Sequence, residues 1–270
     1  MKIELALGGG IAKGSAHLGV LKAFQEKGIK FNYVSGTSIG AFIGAVYANG
    51  NIDKLIEDSF RIKLIELPKL IRPIISKKGL FSGKQIEKLL SKFIDVENIE
   101  ELSIPLSITT TEINNSHLVT FTKGSIYKAV RASISIPGIL TPLIDGENMY
   151  VDGGFLEPVP VKAVRDLGAK FVVAVDLISA ATKKKFTSIK PNEEDNFRGK
   201  HVFDIVQRSS IVTQSKLIEN SFEKYPPDII ITPDVSEINT LDFHKSKLGI
   251  EKGIRAFNES LPDLQKFFDL

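Results

Sequence analysis

The stretch Phe31-Asn32-Tyr33-Val34-Ser35-Gly36-Thr37-Ser38-Ile39-Gly40 passes from an apolar, β-type segment through a serine flanked by glycines and into a helix-like sequence. In a Gly-x-Ser-x-Gly arrangement the serine stands at a tight strand-to-helix corner. The flanking glycines remove the Cβ atoms that would collide with the neighbouring strand and helix. Such a corner lifts a hydroxyl toward solvent, so Ser38 is the candidate nucleophile, with Gly36 and Gly40 as its support. The residues that follow, including Ala41, Phe42, Ala45 and Val46, predict a helix whose N-terminal partial positive charge faces any oxyanion formed beside Ser38. The same five-residue pattern also occurs in purely structural turns. The decision therefore rests on what else the chain supplies.

Upstream, residues 2–7 read as a buried strand leading into Gly8-Gly9-Gly10-Ile11-Ala12-Lys13-Gly14, after which Leu18, Val20, Leu21 and Phe24 recur at helical spacing up to Gly28. Nucleotide loops also join a strand to a helix, but the spacing here rejects them. A dinucleotide fingerprint begun at Gly8 meets Lys13 where its last glycine belongs, and one begun at Gly9 meets Ile11 in place of its second. A Walker loop from Gly9 to Gly14 needs lysine where Ser15 stands. What remains is an oxyanion cradle, in which consecutive small residues let main-chain N–H groups converge on one point. Lys13 reads equally as positive charge beside that cradle or as a surface lysine at a helix start.

Further along, Asp53 to Leu67 predicts a helix ended by Pro68, and Ser82 an N-cap for residues 83–93. Residues 104–113 and 117–122 predict a hairpin around Asn114-Asn115. A helix over 125–136 stops at Pro137-Gly138, and Met149 to Asp152 leads from the Asp145-Gly146 turn into Asp152-Gly153-Gly154. A short helix over Pro160–Leu167 and a β-branched strand over Lys170–Leu177 follow. Residues 179–200 turn polar and read as a mobile surface loop. Beyond it come a helix near 202–222, a strand over Asp228–Thr232, and a helix from Lys245 to Phe268 broken near Pro262. Strands alternating with helices predict a single α/β domain over 1–270, with a central, mostly parallel sheet covered by helices on both faces.

Hydrophobic residues make up 43% of the chain and charged residues 25%, the balance of an ordinary globule. A net charge of only +3 gives no reason to expect nucleic acid as a partner. With no cysteine, disulfides, thiolate metal sites and a cysteine nucleophile are excluded, and the residues call for no metal or cofactor. No apolar run reaches the roughly 18 residues of a membrane span. The chain opens directly on a strand containing Lys2 and Glu4, without the pattern of a secretory signal, so a cytoplasmic location is expected. Lys183, Lys184 and Lys185 read as a solvated surface loop. Lys69, Arg72, Lys77 and Lys78 interleave with Leu70, Ile71, Ile74 and Ile75. The stretch from Lys69 to Leu80 reads as a solvated loop, a lid, or a peripheral contact with the inner face of an anionic membrane.

A serine nucleophile needs a base. The order serine, acid, histidine would take Asp152 or Asp176 and then His201 or His244. The arrangement is awkward, because Ser38 follows only two strands, His201 stands at a helix start and His244 in a polar connector. His17, on the first helix, could face the glycine loop but reads better as a packed helix histidine, and His117 reads as an exposed one at a hairpin edge. Asp152 is better placed: it ends a strand, Val151 anchors it, and Gly153 and Gly154 allow close approach of another backbone. A partly desolvated carboxylate there could take the serine proton directly, its pKa raised by burial. An Asp-Gly turn is also a common structural feature.

Gly8–Gly14, Gly36-Thr37-Ser38-Ile39-Gly40 and Asp152-Gly153-Gly154, with Arg131-Ala132-Ser133 and Ile136-Pro137-Gly138 ahead of the last, together resemble the patatin-like phospholipase family, particularly its short bacterial members. The likeness covers about residues 3–178. It implies a three-layer patatin-like α/β fold that residues 201–270 complete, and a Ser38–Asp152 dyad without histidine. It also implies an oxyanion hole at Gly9, Gly10 and Ile11, and a lipid or other acyl ester as the substrate to be hydrolysed, as by a phospholipase A or lysophospholipase. One position departs from the pattern. With Gly14 aligned, Ile11 stands where Gly-Gly-Gly-x-Arg/Lys-Gly has its third glycine, while Lys13 keeps the basic position. A backbone N–H survives that change, but the β-branched side chain narrows the site. Two other functions stay open on the residues: a serine esterase with His201 or His244 as base, and a binding or regulatory protein with little turnover.

Overall fold

The computed structural model describes residues 2–61, 84–182 and 199–268. Pro68, the stretch Lys69 to Leu80, Ser82 and Lys183–Lys185 lie outside them. Among the described residues the chain forms an eight-stranded sheet. Its parallel centre is β1 (Glu4–Leu7), β2 (Tyr33–Thr37), β3 (Leu106–Glu112), β7 (Val172–Val175) and β8 (Ile229–Ile231), in the order β3-β2-β1-β7-β8. Antiparallel strands extend it on the β3 side: β4 (His117–Phe121), β5 (Leu143–Asp145) and β6 (Asn148–Asp152).

Alternation along the strands explains the layers. Leu5, Leu7, Val173 and Val175 face one buried cluster, while Ala6, Val172 and Ala174 face another. The first face is covered by α1 (Ser15–Glu26), α2 (Ile39–Ala48) and α9 (Ser246–Leu264), the second by α6 (Val161–Asp166) and α8 (Gly199–Lys224). A central strand covered on both faces needs an apolar run without a polar stripe, and β7 meets that with four buried residues in four. The predicted mostly parallel sheet with helices on both sides is the observed architecture.

Helices α1 and α9 pack unusually close. A Cβ on Gly253 would lie 2.1 Å from the Ala16 carbonyl oxygen, and one on Gly19 would lie 2.1 Å from that of Ile250. The C-terminal helix thus braces the helix that follows the glycine loop. It runs without a break through Pro262 to the buried Leu264, contrary to the expected interruption. So near the C-terminus, proline removes one hydrogen bond while the packing of Leu264 holds the last turn. The predicted loop over 179–200 also begins differently, because Ser179–Thr182 forms a short helix, α7, and α8 starts at Gly199. The remaining α-helices among the described residues are α3 (Ile52–Arg61), α4 (Lys84–Leu90) and α5 (Ile126–Ser133).

Pairing along β3 decides the site. Residues Leu106–Thr109 pair with β2, residues Thr110–Glu112 pair with β6, and β4 occupies the opposite edge. Strands β2 and β6 therefore share one edge of β3 and meet end to end, with Thr37 opposite Thr109 and Asp152 opposite Thr110. Two residues more than a hundred positions apart are brought together by neighbours on a third strand.

Candidate active site

Between β2 and α2, Ser38 adopts φ 57 and ψ −123. That is a sparsely populated region for a residue with a side chain, and it persists only where the surroundings enforce it. The enforcement is visible on every side. A Cβ on Gly40 would lie 2.1 Å from Leu7 O, and one on Gly36 would lie 2.5 Å from Ala41 Cα, so both must be glycine for the corner to close against β1 and α2. Ser38 O accepts from the N–H groups of Ala41 and Phe42, and Ser38 N–H donates to Ser133 Oγ at 2.8 Å. Thr37 Oγ1 lies 2.6 Å from Thr109 Oγ1 and donates to Glu157 O at 2.8 Å.

Ser38 Oγ donates to Asp152 Oδ2 at 2.5 Å. The other carboxylate oxygen accepts the Gly154 N–H at 2.7 Å, and Asp152 N–H donates to Ser135 O at 3.0 Å. Only 5% of Asp152 is exposed. Burial pushes its pKa up to about 6, against the opposing pull of the Ser38 hydroxyl and the Gly154 N–H. A carboxylate poised just below neutrality and bonded to a hydroxyl can accept that proton.

The glycine loop lies against this pair. A Cβ on Gly9 would be 3.5 Å from Ser38 Cβ, and one on Gly14 would be 2.3 Å from Ile39 Cγ1. Its amides divide into two groups. Gly8 N–H donates to Val175 O at 3.1 Å and Gly9 N–H to Pro158 O at 2.9 Å. Gly9 therefore departs from the expected oxyanion trio: its N–H is consumed by a backbone carbonyl and its part is to let the loop pass close to Ser38. The N–H groups of Gly10 and Ile11 have no acceptor among the described residues. Ile11 has φ 53, a left-handed conformation that is a steric outlier for a β-branched residue. Lys13 is buried, not a surface lysine, and its N–H donates to Gly10 O at 3.1 Å.

The described histidines are held elsewhere. His17 is buried, with Nε2 at 2.8 Å from Gly8 O and Nδ1 without a partner. Burial lowers its pKa to about 4, partly offset by that bond, so the ring is neutral and Nε2–H donates to Gly8 O. His117 lies 3.8 Å from Glu112, and His244 stands in the Phe243–Lys245 turn without a bond to Ser38 or Asp152. His201 is on the first turn of α8, its side chain outside the described set. Asp176 caps α7, accepting from the N–H groups of Ile178 and Ser179. Residue-by-residue reading missed Ser133, Ser135 and Thr109, whose roles depend on distant partners. The Arg131-Ala132-Ser133 motif was the one signal pointing toward them.

Parallel strands that open their loops at one sheet edge, with a strained serine corner among them, define the class: an α/β protein built around a serine elbow. Within that class the chain belongs to the patatin-like phospholipase family, whose family model matches residues 5–165. It is 34% identical over 181 residues to patatin-like phospholipase domain-containing protein 6 of Mus musculus, covering 65% of this chain and 13% of that protein. To lysophospholipase NTE1 of Mycosarcoma maydis it is 30% identical over 282 residues, covering 97% of this chain and 15% of the relative. The chain thus spans a small fraction of the length of these relatives. Among solved structures, VipD from Legionella pneumophila matches with a TM-score of 0.50 at 16% identity, covering 96% of this chain and 67% of that one. At that identity the likeness speaks for the fold.

Proposed function

We propose that the protein is a serine acyl hydrolase that cleaves acyl esters of lipids through Ser38 and Asp152. The observation that carries the reading is the 2.5 Å bond from Ser38 Oγ to a buried carboxylate. Asp152 takes the hydroxyl proton as Ser38 Oγ attacks the ester carbonyl carbon. The resulting oxyanion lies beside the N-terminus of α2 and is held by the Gly10 and Ile11 N–H groups. Collapse breaks the bond to the alcohol, which leaves with the proton from Asp152, and Ser38 carries the acyl group as an ester. Asp152 then draws a proton from water, the hydroxyl adds to the acyl carbon, and the acid departs as the proton returns to Ser38. Histidine takes no part in this scheme. The unpartnered amides of Gly10 and Ile11 support it, as does a base whose pKa lies near 6.

Membership of the family supports a lipid substrate, and the exposed Phe155 and Leu156, which directly follow Gly154, support a peripheral contact with a lipid surface beside the site. Among the described residues no helix is long and apolar enough to cross a membrane. The same reading takes 1–270 as one domain, since β8 and α9 share the sheet and core of β1. The test is hydrolysis of a short-chain p-nitrophenyl ester, followed by a panel of phospholipids and lysophospholipids. Ser38→Ala should abolish turnover and labelling by a fluorophosphonate probe, and a variant that still turns over at the parental rate removes the proposal. A parental protein inert to the probe would favour a binding role on the same fold.

A further inference from the structure

Ser38 and Asp152 touch through their side chains, and their backbones also lean on a common support. Ser38 N–H donates to Ser133 Oγ, and Asp152 N–H donates to Ser135 O, so the end of α5 and the turn after it hold the amides of both residues. Ser133 and Ser135 are both fully buried. We propose, resting on the reading of Ser38 as nucleophile, that Ser133 is a positioning residue whose hydroxyl oxygen holds the Ser38 amide and so aims Oγ at Asp152.

The argument is one of torsions. The direction of the Ser38 Cα–Cβ bond is set by the two peptide planes on either side of it. The plane after Ser38 is fixed where its carbonyl accepts from Ala41 N–H at 2.9 Å and Phe42 N–H at 3.2 Å. The plane before it is held by the N–H donated to Ser133 Oγ at 2.8 Å. Ser38 sits at φ 57, away from its relaxed conformation, so releasing that N–H lets φ drift toward ordinary values. Oγ then swings off the carboxylate.

Arg131 braces the support. Its guanidinium donates to Ser135 Oγ, to Thr141 O at 2.6 Å and to Thr141 Oγ1 at 2.8 Å, while Ser135 Oγ donates back to Arg131 O at 2.7 Å. No carboxylate bonds this buried cation among the described residues, so its hydrogen bonds hold the turn. Engagement by Ser133 also removes the nucleophile's own N–H from the set of oxyanion donors.

The experiment compares Ser133→Ala and Ser133→Cys with the parent on a p-nitrophenyl ester, together with hydrogen exchange of the Ser38 amide. Loss of the acceptor in S133A should lower kcat at least tenfold while KM stays within twofold and the melting temperature is nearly unchanged. S133C, with a weaker acceptor, should fall between. The Ser38 amide should exchange faster in S133A. Parental kcat in S133A, or a loss of activity that only follows a fall in melting temperature, overturns the proposal. If the parent itself shows no Ser38-dependent turnover, the nucleophile reading fails separately. Amide exchange still decides the contact, and unchanged protection in S133A overturns it.

Discussion

Two residues beside the site share a left-handed backbone, Ser38 at φ 57 and Ile11 at φ 53, yet their surroundings are opposite. At Ser38 the amide, the carbonyl and the hydroxyl all have partners, and glycines on either side press β1 and α2 against the corner. Around Ile11 two consecutive amides, those of Gly10 and Ile11, have no acceptor among the described residues. An N–H left unpaired away from water costs about 1–3 kcal/mol, so a fold tolerates a pair only where water or a ligand can reach them. Gly10 and Ile11 are half-buried, which leaves that approach open. The difference teaches a division of labour: one strained residue is clamped to hold a side chain still, and the other sits in a loop that keeps donors available.

The largest effect should come from removing the partner that the clamp serves. Asp152→Asn keeps the shape but cannot take a proton, and loss of a general base typically costs about 10²–10⁴-fold in rate. The same change should make the protein more stable at neutral pH. The folded pKa of Asp152 is raised from 3.8 to about 6, so its contribution to stability is fully present below pH 3.8 and is lost as pH rises through about 6. Keeping the buried carboxylate ionised at pH 8 therefore costs about 3 kcal/mol, an upper figure for what asparagine would recover. Glu157, raised by burial to about 7, and His17, lowered to about 4, titrate alike in both proteins and cancel in the difference. Urea unfolding at pH 8 and at pH 3.5 checks this. D152N should be the more stable at the first and lose its advantage at the second.

Next in size is the steric requirement of the corner. A Cβ on Gly40 would stand 2.1 Å from a backbone oxygen that belongs to β1, where no flexible side chain can yield. Gly40→Ala should cost about 3 kcal/mol or more. Gly28→Ala, at φ 71 with nothing within 4 Å, should cost only about 1 kcal/mol, because it meets the conformational penalty alone. Equal losses in thermal unfolding would mean the corner is not clamped.

A smaller effect is the acid limb of kcat/KM. Activity should fall tenfold per pH unit below about 6 as Asp152 becomes protonated. Glu157→Gln separates the two raised carboxyls. Glu157 bonds the Lys162 N–H with one oxygen and leaves the other unpartnered, so its carboxyl makes no hydrogen bond to Ser38. A limb that stays near 6 in E157Q belongs to Asp152, and one that vanishes does not.

Much of this was legible in the sequence, and for physical reasons. Leu5–Leu7 of β1 and all of β7 are apolar because both faces are covered, and the Ser38 corner announces itself because only glycine fits on either side. The hairpin around Asn114-Asn115 appears as β3 and β4, and Asp152 ends β6 as its two glycines suggested. What could not be read was long-range pairing. Thr109 and Thr110 look like any β-branched residues in a strand, yet their register brings Thr37 and Asp152 to one edge. Gly9 looked like a donor because its competitor, Pro158 O, is far along the chain. Gly249 and Gly253 carry no local signal either, since the crowding that demands them comes from Ser15 and Ala16 on α1.

The smallest expected effect is the most direct test of the loop. At an ordinary strand position such as the fully buried Ile108, truncation to alanine costs about 2–5 kcal/mol, and glycine costs about 0.5–1 kcal/mol more than alanine. At Ile11 the order should reverse. Alanine keeps the Cβ and with it the left-handed penalty of about 1–2 kcal/mol, whereas glycine removes that penalty along with the side chain. Relief of strain then offsets much of the packing lost from a half-buried side chain. I11G should melt within about 2–4 °C of the parent and above I11A. If I11A proves the more stable of the two, position 11 is not left-handed in solution. The contrast between a clamped corner and a strained, donor-bearing loop would then lose its second half.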